Sequence, residues 1–298
     1  MKGLKLYNID FIEQHQAFKK RLADQGKSKS SIITLSNRII EFFHFLEQNQ
    51  IETPQKITQK TILKYYTYLQ TRTNLRTGGT LSDKYIEKHG EAVLRYMEML
   101  HNKAKKQSDF EFPKIQNQQR DIEILTTAEI SKIYKAIDNT RFGISNKVIF
   151  SLLYGCGLRT GELHNLELKD IDFVKREIRL SNTKTKHERE VPMSNTVIKC
   201  LEEYLYHGRN LLLPKQHCET YVMINLKGFR MSKQTIGSRV RYMMQQASIS
   251  KRISPHTLRH SIATYLLENL SLEEVAQFLG HRSLNSTQIY THLKEAIV

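Results

Sequence analysis

Apolar residues in the first hundred positions recur at helical spacing, in four blocks separated by polar turns. Phe11, Ile12, Phe18 and Leu22 form a sparse first stripe. A denser one, Ile32, Leu35, Ile39, Phe42, Phe43 and Leu46, follows Ser28 and Ser30, whose hydroxyls suit a helix N-terminus. Thr58 is placed to cap a third helix that turns Ile62, Tyr65, Tyr66 and Leu69 inward, and Ser82 a fourth carrying Ile86, Val93, Met97 and Leu100 on one face. The basic stretch Arg72 to Thr80, with Gly78-Gly79, reads as the loop between these last two. Tyr65, Tyr66 and Tyr68 read as core and rim positions.

The helical period is lost from Ser108 to Glu123, where Phe112-Pro113 gives way to Gln116-Asn117-Gln118-Gln119-Arg120-Asp121, a natural linker. It resumes behind the capping box Thr126-Thr127-Ala128-Glu129, with Ile130, Ile133, Tyr134 and Ile137 inward. Glu177 to Ser181 and Glu188 to Pro192 read as two short strands around a polar turn. Helices are expected again over Val197 to Leu205 and Lys233 to Gln246, and then behind Ser254-Pro255, which places His256 and Arg259 in the first turns of a helix. Ser271 to Glu274 is another capping box, and Gly280 stops that helix just before His281. The expected fold class is mainly α with a small antiparallel β-sheet. An N-terminal helical domain over 1–110 and a linker over 111–124 lead to a mixed α/β domain over 125–298.

Charge narrows the class of partner. The 298 residues carry 46 Lys and Arg against 30 Asp and Glu, a formal net charge of +16. The excess is split evenly, 19 basic against 11 acidic residues in 1–110 and 27 against 19 in 111–298. Such a balance suits two basic surfaces that both meet a polyanion, rather than one basic tail. Three cysteines, Cys156, Cys200 and Cys218, show no paired spacing, which argues against a disulfide framework and for a cytoplasmic setting. Asp10 interrupts the N-terminus before any long apolar run, so no signal peptide is expected. The apolar stretch near Val148 to Leu158 is too short and too glycine-interrupted for a bilayer. No carboxylate cluster and no Cys/His set has metal-ligand spacing, so neither a metal nor another cofactor is expected.

Four short motifs remain: Gly157-Leu158-Arg159-Thr160-Gly161-Glu162-Leu163, His256-Thr257-Leu258-Arg259-His260, Leu279-Gly280-His281-Arg282-Ser283 and Gln288-Ile289-Tyr290-Thr291-His292. Taken singly, each has a bland reading: a surface arginine, a solvated helix face, a core tyrosine. Together they hold the equipment for breaking a phosphodiester with a phenol nucleophile. Guanidinium groups stay protonated and grip phosphate oxygens in a bidentate way, a role that Arg159 and Arg259 fit. A phenol needs a base to take its proton, and the leaving sugar oxygen needs an acid. Glu162 stands three residues after Arg159, spaced to orient it.

In order and spacing these motifs resemble the tyrosine recombinase family of phage integrases and Xer proteins. The resemblance implies a core-binding helical domain followed by a catalytic domain, and a site-specific recombinase that cuts and rejoins two duplexes through a 3′-phosphotyrosyl intermediate, without metal or ATP. It places the nucleophile on Tyr290, nine residues after His281. The two arginines are Arg159 and Arg259; His256 is base or phosphate donor, and His281 a second donor. The hairpin lysine that acts as general acid falls on Lys184, with Lys186 as the alternative. His260, Arg282 and His292 are expected beside the site. The implied partners are double-stranded DNA bearing specific sites, further copies of the chain as a tetramer on two sites, and accessory proteins; the implied location is the cytoplasm, at the nucleoid. The turn Thr183-Lys184-Thr185-Lys186 leans toward integrases or invertases of mobile elements, with Xer-type dimer resolution and type IB topoisomerase-like relaxation as alternatives. Only eight residues follow Tyr290, which puts a long exchanged C-terminal tail in doubt.

Overall fold

In the computed structural model the described residues are 4–75, 78–103, 110–113, 123–181, 188–212 and 220–280. The chain divides into two compact units, Met1–Arg120 and Asp121–Val298.

Among the described residues the first unit holds four α-helices: α1 (Ile9–Asp24), α2 (Lys29–Gln48), α3 (Gln59–Thr71) and α4 (Asp83–Lys103). Ser28 caps α2 by accepting from the Ser31 amide, and Thr58 with Thr61 closes a reciprocal cap on α3. The bundle core is aromatic. Phe11 stacks on Phe43, Tyr96 meets Phe18 and Phe43 edge-on, and Tyr65 meets Phe42 the same way, all fully or almost fully buried. Ile12, expected within the first stripe, is 36% exposed; the buried residues of α1 are Phe11, Phe18 and Leu22. Of the stretch expected as a linker, 110–113 are held by this unit. Phe112 fills the space that a side chain at Gly90 would need, and the Gln59 side chain exchanges two hydrogen bonds with the Glu111 backbone.

A charged group lies inside this bundle. Glu41, 1% exposed, stands 2.5 Å from Nε of Arg72 and 3.6 Å from Nε2 of His89, whose Nδ1 bonds the Tyr65 hydroxyl at 2.9 Å. Burial pushes the Glu41 carboxyl above its ordinary value, against the charge and hydrogen bond of Arg72. Burial, with the charges of Arg38 and Arg72, lowers His89 to about 3, so it stays neutral.

The second unit opens with α5 (Thr127–Ala136), behind the capping box of Thr126 and Glu129, and α6 (Arg141–Phe150), which widens into a π-turn over Ser151–Gly155. Val148, Ile149, Phe150, Leu152 and Leu153 are all 0% exposed, so α6 and its extension run through the core. From Val148 to Leu153 burial on every side leaves no polar stripe to alternate with the apolar one, which is why this stretch shows an apolar run and no period. The short α7 (Thr160–Asn165) follows, and then a sheet of β1 (Ile171–Asp172), β2 (Glu177–Ser181) and β3 (Glu188–Pro192). The sheet is antiparallel in the order β1-β2-β3, with Ile178 opposite Val191 and Leu180 opposite Arg189. Two strands were expected; the third, β1, is two residues long, too short for alternation to register. Among the described residues the remaining α-helices are α8 (Asn195–Glu203), α9 (Lys233–Gln246), α10 (Pro255–Leu266) and α11 (Leu272–Leu279). The caps expected at Ser254 and Ser271 are present, and Gly280 closes α11 in the left-handed conformation, φ 63°. Among the described residues no helix is long and apolar enough to cross a membrane.

Because Glu41 balances Arg72 inside the bundle, Glu41→Ala leaves a largely buried guanidinium without its partner. The expected loss in unfolding free energy is about 3–5 kcal/mol, measured by urea denaturation. A loss below about 1 kcal/mol would show that the ion pair is not what holds this end of α3.

Candidate active site

Arg159 is the N-cap residue of α7, preceded by Gly157 in the left-handed conformation. Glu162, at the third helical position, reaches back: its Oε2 accepts from the Arg159 backbone N–H and its Oε1 from Arg159 Nη1, both at 2.8 Å. The pair expected from i, i+3 spacing is therefore a cap as well as an ion pair. The same carboxylate takes a second arginine, since Arg189 of β3 donates from Nη1 to Oε1 at 2.8 Å and from Nη2 to Oε2 at 3.0 Å. A third guanidinium, that of Arg259, comes within 4.0 Å of Oε2.

Burial raises the Glu162 pKa, but hydrogen bonds and charge from Arg189, then the bonds from Arg159, outweigh it and bring it to about 2. Glu162 is thus a permanent anion among cations.

Arg259, on the second turn of α10, is 3% exposed. It donates to the carbonyls of Gly157 and Leu279. Arg159 donates from Nη2 to the Gly280 carbonyl at 2.9 Å. Both arginines therefore hold the C-terminal turn of α11, where the Gly280 amide caps the Ala276 and Gln277 carbonyls and the arginines take those of Leu279 and Gly280. His256 sits in the first turn of α10, exposed; His260, one turn on, is half-buried and its pKa is lowered by burial and then by the charges of His256 and Arg259.

A cavity of about 690 Å³ opens beside these residues. Arg159, Glu162, Arg189, His256, Tyr221, Arg230 and Lys233 are among the residues that line it. Arg259 stands behind this wall. Arg230 lies over the Tyr221 ring, 4.1 Å from its centroid, and donates to the His164 carbonyl at 2.8 Å.

Of the expected site residues, the structure brings Arg159, Glu162, His256 and Arg259 together. Lys184, Lys186, His281 and Tyr290 lie outside the described residues, as do Arg282 and His292. Arg189 was missed by sequence reasoning. Its signal was phase: it lies two residues from the buried Val191, so both point to the same face of β3, and a cation on an inward phase needs a buried anion. Among the described residues no group of three or more His, Cys, Asp and Glu side chains is placed to hold a metal ion.

Comparison with known proteins bears on the family of the chain. The model of the phage integrase family matches residues 123–296. Tyrosine recombinase XerD of Staphylococcus haemolyticus is 34% identical, over 99% of this chain and 83% of that protein. Tyrosine recombinase XerC of Natranaerobius thermophilus is 36% identical over 179 residues, a match that spans 59% of that protein. Among solved structures, XerH site-specific recombinase in a post-cleavage complex with palindromic difH substrate superposes with a TM-score of 0.73, over 98% of this chain and 89% of that one; at 19% identity it bears on the fold. A family model over more than half of the chain, and a relative above 30% identity along nearly all of it, place this chain in the phage integrase family, among the tyrosine recombinases.

Proposed function

We propose that the chain cuts and rejoins two DNA duplexes at specific sites, with Tyr290 as nucleophile and a 3′-phosphotyrosyl ester as intermediate. One observation carries the assignment. Arg159 and Arg259, distant in sequence, converge on Glu162 and on the turn that leads directly into His281. A phosphodiester under attack gains charge on its non-bridging oxygens, and a pair of fixed guanidiniums meets that charge. Arg259 exchanges its neutral carbonyl acceptors for anionic phosphate oxygens, which add ion-pair attraction to the hydrogen bond.

The remaining roles follow from the chemistry. Tyr290 Oη attacks phosphorus while a base takes its proton. His256, exposed on the cavity wall, serves as that base or as a phosphate donor, and His281 as a second donor. The bond from phosphorus to the 5′ oxygen breaks, and Lys184, with Lys186 as the alternative, protonates the departing oxygen. Attack of the freed 5′-hydroxyl on the phosphotyrosine of a partner duplex restores the phosphodiester and the phenol. No external energy source is consumed, because one ester replaces another.

Double-stranded DNA is the partner that the net charge of +16 fits. Each protomer supplies one Tyr290, so exchange between two duplexes takes four protomers on two sites, with residues 1–110 as the core-binding domain, 111–124 as the linker and 125–298 as the catalytic domain. The biological setting has two readings. The hairpin turn favours a mobile element, whereas the XerC and XerD names of the relatives favour dimer resolution.

Tyr290→Phe is expected to bind a site-bearing duplex as the parent protein does while yielding no covalent protein–DNA adduct on a nicked suicide substrate. An adduct of normal yield would remove Tyr290 from the nucleophile's role. For the acid, Lys184→Ala is expected to cleave a substrate with sulfur at the 5′-bridging position far faster than the ordinary ester, since a thiolate leaves without a proton. Equal defects on both substrates would move the role to Lys186 or beyond the hairpin.

A further inference from the structure

We propose that Arg189 is a positioning residue for strand cleavage: it fixes Glu162, and through Glu162 the phosphate-gripping Arg159, and it ties the hairpin strand to the turn before His281. The inference rests on the recombinase reading above and adds a residue to it.

Three observations support it. First, Arg189 completes the hydrogen bonding of Glu162. Each carboxylate oxygen accepts one bond from Arg159 and one from Arg189, so four donors fill the roughly four lone-pair positions that a carboxylate offers. A carboxylate held on all four has no freedom to rotate, and the guanidinium it holds has little more. Secondly, Arg189 is only 15% exposed at its side chain and occupies the space above Gly280. A Cβ built there would come 2.7 Å from Arg189 Cδ and Nη1, so the side chain is wedged between α7 and the end of α11. The left-handed φ of 63° at Gly280 sets the same demand for glycine from the backbone side. Thirdly, topology makes the wedge consequential. Arg189 lies five residues after Lys184 on the hairpin, and Gly280 directly precedes His281. One side chain of the strand that leads from the acid thus reaches both the carboxylate that aims Arg159 and the turn that leads to the second donor.

Arg189 also lines the cavity, so a direct contact with DNA is the competing role. The two roles separate experimentally. A residue that acts through Glu162 changes the rate of the chemical step and leaves half-site affinity nearly untouched, whereas a DNA contact changes affinity first. Residues acting as one unit are also non-additive.

The test uses the full-length protein, with adduct formation in single turnover on a nicked half-site and half-site affinity by fluorescence anisotropy. Arg189→Ala is expected to slow adduct formation by about 10- to 100-fold, the range that a misplacement of order 1 Å produces, with affinity changed less than about 3-fold. Arg189→Lys, which keeps the charge but loses the fork, is expected to fall between Ala and the parent. The double variant Arg189→Ala with Glu162→Gln is expected to be no slower than the slower single variant. A pH readout follows from the same contacts. Without Arg189 the Glu162 carboxyl titrates nearer its ordinary 4.5 than its value of about 2 in the intact site. The rate ratio of Arg189→Ala to the parent should therefore fall as pH drops toward 4.5.

Parental rates in Arg189→Ala, multiplicative losses in the double variant, or a loss of affinity that accounts for the whole defect would each overturn the proposal. Should Arg189→Ala fail to fold, Arg189→Lys decides: a slowed chemical step at parental affinity supports positioning, and a parental rate overturns it. A parent protein that forms no adduct at all would instead overturn the recombinase reading.

Discussion

Three guanidiniums share one carboxylate in the second unit, and the rest of the site depends on that arrangement. Isolated, Arg159, Arg189 and Arg259 would repel one another, and a cluster of buried cations is too costly to hold in a protein interior. Glu162 makes the cluster tolerable by placing an anion at its centre, bonded to two of the cations and 4.0 Å from the third. The surplus positive charge is what an incoming phosphate would meet. A site assembled this way needs little reorganisation when charge develops on the reacting group, and for that reason fixed dipoles and charges act strongly in catalysis. The cost falls on Glu162, which leaves water for a half-buried position and is compensated by hydrogen bonds.

Backbone geometry makes the sharing feasible. Arg159 and Glu162 meet because a helix begins between them, so the amide that needs a cap and the side chain that needs a partner belong to the same residue. Arg259 arrives from α10, whose start is set by Ser254 and Pro255. The end of α11 completes the enclosure. Its last carbonyls, those of Leu279 and Gly280, accept from Arg259 and Arg159, so one set of contacts serves both a helix end and a cluster of cations. Gly157 and Gly280, both left-handed, are the two points where the backbone must turn tightly enough for this contact. At Gly157 an added Cβ would come 2.9 Å from the side chain of Leu279.

Much of this was legible in the sequence. Caps at Ser28, Thr58, Thr126, Ser254 and Ser271 are local chemistry, and each lies where the residue pattern puts it. The convergence of Arg159, Glu162, His256 and Arg259 was expected from motif order and family likeness. What escaped notice is non-local. Arg189 looks like one charge among several in Glu188-Arg189-Glu190, and only the sheet register, with the inward phase of Val191, shows that it faces α7. The strand β1 has two residues and no alternation to read. The end of α6 and its extension, Val148 to Leu153, show no period because burial on all sides removes the polar face. The ion pair of Glu41 and Arg72 escaped for a similar reason: each charge taken alone suggests a solvent-facing position, and only the packed bundle brings them together.

A structure of the protein on a nicked half-site duplex would test the shared carboxylate most directly. Arg159 and Arg259 should both bond non-bridging oxygens of the scissile phosphate, while Arg189 keeps its two bonds to Glu162. A phosphate gripped by Arg189 in place of Arg159, or a Glu162 side chain turned away from all three guanidiniums, would contradict the account.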